Sequence, residues 1–424
     1  MIERLPPGLR QWLRLLRPSA FFRLLRRVLR RHWRRFSGVE RRLVELQPES
    51  GVEVWGDALV AYIVDAVLDM DEELPVTHTH FWETRQIVQT FLDLGLRVDV
   101  VHWTNFEFVP DKPYRVALDV RHLLPRWRDH LPDDCLCIFH GETSHASFND
   151  RAQEERHRAF EERHGNRLPE RKAIGDTPAF AAADAATILG NETTLSTYRD
   201  VLRRGAVNDD LTGPEIWPVT ISAPAQYPRL ERAIESCRRR FVWLGSEGLV
   251  HKGLDLVLEA FRELPEHDLT VCGPIERERE FERFYWHDLY AAPNVHTYGW
   301  VDVTSDAFLR LAQSSLFLIY PSCSEGQCGS VVTCMHAGLV PLVSDRTGVP
   351  MDPSYSMELA NPSVASLRRA ILEISERPAE KLQTMSDCAR AYARSHHNKE
   401  RFAANYRAAI EEIFARHFPQ GESA

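Results

Sequence analysis

A chain of 424 residues with 44% hydrophobic and 27% charged residues has the composition of an ordinary soluble globular protein, and it is long enough that two domains are expected. No apolar run is long enough to cross a bilayer, and the first residues lack the unbroken apolar core of a signal peptide. The formal net charge of -9 is uneven, because residues 1–42 hold thirteen arginines against Glu3 and Glu40, a balance of +11 that leaves -20 for the rest.

The arginine-rich start predicts a basic amphipathic helix over residues 19–36, with Phe21, Phe22, Leu24, Leu25, Val28, Leu29, Trp33 and Phe36 largely at helical spacing. Such a helix fits an anionic membrane surface, or an arm that pairs with the acidic body of the same chain. Nothing beyond it is basic, which argues against nucleic acid as a partner. From residue 51 onward strands and helices alternate. Strands are expected at 59–66, 97–103, 115–120, 135–139 and 183–189, and helices at 83–94 and 193–203. A highly charged stretch, 145–172, reads as an exposed helix, and the proline-rich 204–228 as a linker.

Histidines mark two places in this first half. His140 follows a strand at the end that faces the presumed cleft, and His78 and His80 lie with Trp82 and Glu83 between the first strand and its helix. No third ligand accompanies the histidine pair, so the loop is assigned to the acceptor or sugar side and not to a metal. Asn191 reads as a helix N-cap.

The second half repeats the alternation, with strands at 241–245, 269–273, 295–300, 316–320 and 340–344. Leu254, Val257, Leu258 and Phe261 fall on one face of the helix after the first strand. The expected architecture is α/β, two doubly wound parallel-sheet domains facing a cleft: residues 51–215, joined by a C-terminal helix over 400–424, and residues 216–399. The eight cysteines show no paired C-x-x-C spacing, and most sit in apolar segments, so they read as reduced buried thiols of a cytosolic protein.

One stretch organises this half. An apolar strand ends at Pro321 and runs through Ser322, Cys323, Ser324, Glu325, Gly326, Gln327 and Cys328 into a helix opened by Gly329 and Ser330. Small residues at a strand-to-helix junction let a ligand approach the first amides of the helix, which favours an anion. Glu325 is then left to address hydroxyl groups. Lys252, after the loop 246–251, places a cation beside the start of another helix.

The segments FVWLGSEGLVHKGLDLVLEAF, LTVCGP and PSCSEGQCGSVVTCMHAGLVPLVSD resemble, in order and spacing, the second domain of the GT-B retaining glycosyltransferases of family 4. That family has two glutamates eight positions apart; Glu325 matches the first, and Thr333 stands at the second. The resemblance implies a two-domain GT-B fold and transfer of a sugar, with retention, from a nucleotide-diphosphate sugar to a glycan or lipid-linked acceptor in cell-surface polysaccharide synthesis. It implies Lys252, Glu325 and His140 in catalysis, and Gly245, Ser246, Lys252, Glu325, Gly326, Gly329, Ser330 and Thr333 around the donor. Ser246 replaces the arginine that the family pairs with this lysine, a loss that His251 is placed to offset in part. Cations and amides can carry the charge of the leaving diphosphate, so no cofactor and no metal are required. The expected place is the cytoplasm, peripheral to the inner face of a membrane. Thr333 and Ser246 keep open the alternative of a catalytically silent GT-B subunit that binds a sugar nucleotide or glycan.

Overall fold

The structure is a computed structural model that describes residues 38–75, 78–170, 174–175, 177–205 and 213–418. The helix expected at 19–36 lies outside them.

Two sheets form, each from strands that are apolar on both faces. The first runs in the order β1 (Leu43–Leu46), β3 (Leu96–His102), β2 (Gly56–Tyr62), β4 (Val116–Asp119), β5 (Leu136–Gly141), β6 (Ala185–Leu189) and β7 (Glu215–Val219). All neighbours are parallel except β1, which pairs antiparallel with β3. In β2 the alternation sends Val60 into one hydrophobic cluster and Leu59 into another, both fully buried. A strand covered on both faces this way is what a parallel sheet requires, and each such side chain contributes roughly 1.5–3 kcal/mol of burial. The second sheet runs β10 (Val295–Gly299), β9 (Asp268–Cys272), β8 (Arg240–Leu244), β11 (Phe317–Tyr320), β12 (Val340–Val343) and β13 (Met357–Glu358), all parallel. In both sheets the winding direction reverses once, between β2 and β4 and between β8 and β11. Ligands of open α/β sheets bind at the strand carboxyl ends beside such a reversal.

Six helices matter for the site: α1 (Thr79–Asp93), α2 (Ala146–His164), α3 (Glu192–Gly205), α4 (Leu254–Arg262), α5 (Gly329–His336) and α6 (Lys399–His417). The stretch expected as a linker contains β7, whose Pro218 sits on an edge strand where a missing N–H is tolerated. The charged helix α2 is not a solvated rod. Arg163 reaches Asp255 at 2.6 Å and Glu259 at 3.2 Å on α4, and Arg156 donates to the Pro321 carbonyl at 2.9 Å. One face of α2 thus packs on the second domain, while Arg151, Glu155, Arg158, Glu161 and Glu162 stay exposed, as the charge run predicts. α6 returns the chain to the first domain, where Phe402 meets Trp82 edge-on and Phe414 stacks on Phe91. Asn191 accepts from the Thr194 amide at 3.2 Å, the bond expected of an N-cap residue. The eight cysteines are unbridged, seven of them buried.

Candidate active site

The two domains enclose a cavity of about 1210 Å³, lined from the carboxyl ends of both sheets. On the second domain, β8 ends at Leu244 and delivers Gly245 and Ser246; the following loop leads to Lys252, just before α4. β11 ends at Tyr320 and delivers Glu325. Lys252 Nζ lies 3.0 Å from Glu325 Oε1, and the same oxygen accepts from Tyr320 at 3.1 Å and Ser322 at 2.9 Å. The lysine and glutamate side chains retain 5% and 17% of their exposure, so the pair works in a partly desolvated wall.

The loop that carries Glu325 is fixed from several sides. The Glu325 amide donates to the Arg346 carbonyl at 2.9 Å, and the Cys328 amide to the Thr347 carbonyl at 2.9 Å. Ser144 and Thr194 of the first domain donate to the Glu325 and Gly326 carbonyls, at 2.6 and 2.9 Å. A Cβ on Gly326 would lie 2.1 Å from the Glu142 carbonyl oxygen, and one on Gly348 would overlap the Gly326 carbonyl. Only glycine allows these three strands of backbone to meet. α5 then starts at Gly329 with no side-chain cap, which leaves its first amides to a ligand or water. Gly326, Gly329, Ser330 and Thr333 all line the cavity.

The first domain supplies a second charged cluster, again from strand ends: Tyr62 from β2, Arg121 after β4, Glu142 after β5, and His80 from the start of α1. His80 Nδ1 is 3.0 Å from Glu142 Oε1, which also accepts from the Tyr62 hydroxyl, and Arg121 lies 3.8 Å from Glu142 Oε2. Burial disfavours both charges, but the attraction between them outweighs it. The His80 imidazole therefore rises above its ordinary value, while the Glu142 carboxyl, facing His80 and Arg121, is held well below the usual carboxylate range. His78, exposed at the cleft with its ring centroid 4.1 Å from that of His80, is pushed down, first by partial loss of solvation and then by the His80 charge.

Four expectations need correction. His140 does not line the cavity: fully buried within the sheet, it bonds Thr187 Oγ1 at 2.8 Å. The next residue but one, Glu142, takes the cleft position, because His140 is still inside β5, which is covered on both faces, and Glu142 lies past the strand's end. Trp82 packs against Phe402 and under Lys399, away from the cleft. Glu83 is buried and accepts from the Ser222 amide and hydroxyl at 2.9 and 2.8 Å, which anchors the segment between the domains. His251 is buried against the Ser324 carbonyl, 2.6 Å away, and braces the Glu325 loop instead of offering charge to a ligand. Tyr62, Arg121, Glu142 and Arg277 line the cavity as well. Each follows or ends a parallel strand at its carboxyl end, a positional signal that was available in the sequence.

The burial of His140 has a consequence for stability. Burial pushes its imidazole down to about 4. As pH falls through the unfolded value near 6.5 the unfolded chain takes up a proton that the folded chain refuses, so stability present at neutral pH is lost toward pH 4. At pH 4.5 the loss is about 2.5 kcal/mol. Denaturant titrations at pH 7 and pH 4.5 should show that much less acid sensitivity in His140→Asn than in the wild type.

Residues 238–377 match the family model described as Glycosyl transferases group 1, a match that falls within the second domain. Sucrose-phosphate synthase from Thermosynechococcus elongatus superposes with a TM-score of 0.55 at 12% identity, over 87% of this chain and 100% of that one. The fold is GT-B. WaaG, a glycosyltransferase involved in lipopolysaccharide biosynthesis, superposes with a TM-score of 0.50 at 13% identity, over 84% of this chain and 98% of that one. At these identities the likeness is of GT-B architecture alone. This chain spans only 55% of TarM, at a TM-score of 0.47 and 11% identity over 72% of its own length. No curated protein sequence matches. Among the described residues no helix is long and apolar enough to cross a membrane.

Proposed function

We propose that this protein transfers a sugar from a nucleotide-diphosphate sugar to a glycan or lipid-linked acceptor, with retention of configuration, in cell-surface polysaccharide synthesis. The observation that carries the reading is the Lys252–Glu325 pair, set at the carboxyl ends of β8 and β11 inside a GT-B cleft and within the segment that matches the group 1 glycosyl transferases. Lys252 and the uncapped amides at Gly329 and Ser330 hold the diphosphate. Glu325, fixed through Oε1 by Lys252, Tyr320 and Ser322, addresses hydroxyls of the sugar. Thr333 offers the ribose one hydroxyl. The acceptor enters along the wall of His80 and Glu142.

Catalysis in such a site consists of holding the two reactants and stabilising the charge that develops on the departing diphosphate. Protein cations and amides supply that stabilisation. Calorimetry against a panel of nucleotide sugars tests binding, and the anomeric configuration of a purified product tests retention: an inverted product removes that part of the reading. The arginine-rich start is assigned to an anionic membrane surface. Deletion of residues 1–42 should abolish sedimentation with phosphatidylglycerol vesicles, and unchanged sedimentation rules the assignment out.

A further inference from the structure

A nucleotide diphosphate brings at least two negative charges into a wall that is already acidic. Seven carboxylates line the cavity among the described residues, against three permanent cations, Arg121, Lys252 and Arg277. Two of those cations face carboxylates that are largely shielded from water. Lys252 is 3.0 Å from Glu325, with side-chain exposures of 5% and 17%, and Arg121 is 3.8 Å from Glu142, with 28% and 8%. The third differs. Arg277 Nη1 lies 2.6 Å from Glu247 Oε1, and the two side chains are 60% and 56% exposed. An ion pair in water is weak and readily exchanged, whereas taking one partner from a buried pair strands a charge. Arg277 is therefore the cation most easily transferred to a ligand.

Its position suits that use. Glu247 follows Ser246 at the end of β8, and Arg277 closes the short turn Ile275–Arg277 after β9, the neighbouring parallel strand. Both loops lie at the carboxyl edge of the sheet, where the route to Lys252 begins. The next residue, Glu278, accepts from the amides of Gly248 and Leu249, so the backbone beside Arg277 is fastened to the β8 loop whatever its side chain does.

We infer that Arg277 is a diphosphate-binding group held in reserve by Glu247. When the donor binds, the guanidinium leaves Glu247 and takes two phosphate oxygens with its planar fork, adding the second cation that Lys252 lacks. This rests on the reading that the ligand is a nucleotide-diphosphate sugar.

The test uses the full chain, with calorimetric titration of inorganic pyrophosphate and of UDP, GDP and ADP. Arg277→Ala should weaken pyrophosphate and the bound nucleoside diphosphate by at least tenfold, with an unchanged melting temperature. Glu247→Gln should tighten both severalfold, because the competing carboxylate is gone. Ser246→Arg in the Arg277→Ala background should restore much of the lost affinity by placing a cation on the adjacent loop. The inference is overturned if Arg277→Ala leaves pyrophosphate affinity unchanged, if only the nucleoside forms weaken, or if Glu247→Gln weakens binding. Pyrophosphate binding that depends on Arg277, without binding of any nucleoside diphosphate, sinks the donor reading and keeps only Arg277 as a diphosphate-binding group. No binding of either ligand defeats both.

Discussion

Lys252→Ala is expected to lower turnover by at least about tenfold, the effect of losing a transition-state contact of roughly 1.4 kcal/mol or more. Among the described residues the lysine is the one buried cation lining the second-domain wall, 3.0 Å from Glu325. Its removal takes charge from the leaving diphosphate and also leaves the carboxylate without its counter-ion. Tyr320 and Ser322 still donate to Glu325, so the loop should persist, at a stability cost of about 3 kcal/mol for the stranded charge. Glu325→Gln should lose turnover by a similar factor while keeping those hydrogen bonds. The two changes combined should cost less than their sum, because each alone strands the other's partner. Steady-state kinetics with thermal melts on the three variants checks this, and additive losses show that the pair does not act as a unit.

Glu142→Ala should produce the second large effect. The carboxylate holds Tyr62, His80 and Arg121 in one cluster, and its side chain is only 8% exposed. Removing it takes from Arg121 and His80 the carboxylate they share in the cleft wall, with an expected cost of about 3 kcal/mol in stability and at least about tenfold in transfer. Glu142→Gln preserves the shape and removes the charge. If transfer depends on the carboxylate, the glutamine variant should lose transfer to the acceptor while its affinity for the nucleoside diphosphate stays near the wild-type value. Normal transfer by Glu142→Gln would show that the cluster is structural.

Both sheets were legible in the sequence because their inner strands are buried on two faces and read as short apolar runs. The edges were harder. β1 is only half-buried, β13 has two residues, and β7 sits in a proline-rich stretch where turn signals outweigh the apolar residues. On the second domain, Glu325 and Lys252 could be read because each stands in a small-residue loop between a strand and a helix. The first-domain wall could not be read in the same way. His140 draws attention as the last polar residue of a strand, yet both faces of β5 are covered and bury it, and the cleft is reached only past the strand's end at Glu142. Glu83 looks like a surface acid on a helix. Its partner, Ser222, is 139 residues away, and no local pattern announces that contact. The same distance problem hides the packed face of α2, since Arg163 finds its carboxylates, Asp255 and Glu259, on α4 of the other domain.

The most direct measurement of sugar transfer is release of nucleoside diphosphate from a panel of nucleotide sugars, with and without cell-envelope glycan and lipid extracts as acceptors. The reading predicts acceptor-dependent release with at least one donor, reduced at least about tenfold in Lys252→Ala and in Glu325→Ala. Donor binding with no release under any acceptor would contradict it, and would make the protein a GT-B binding subunit.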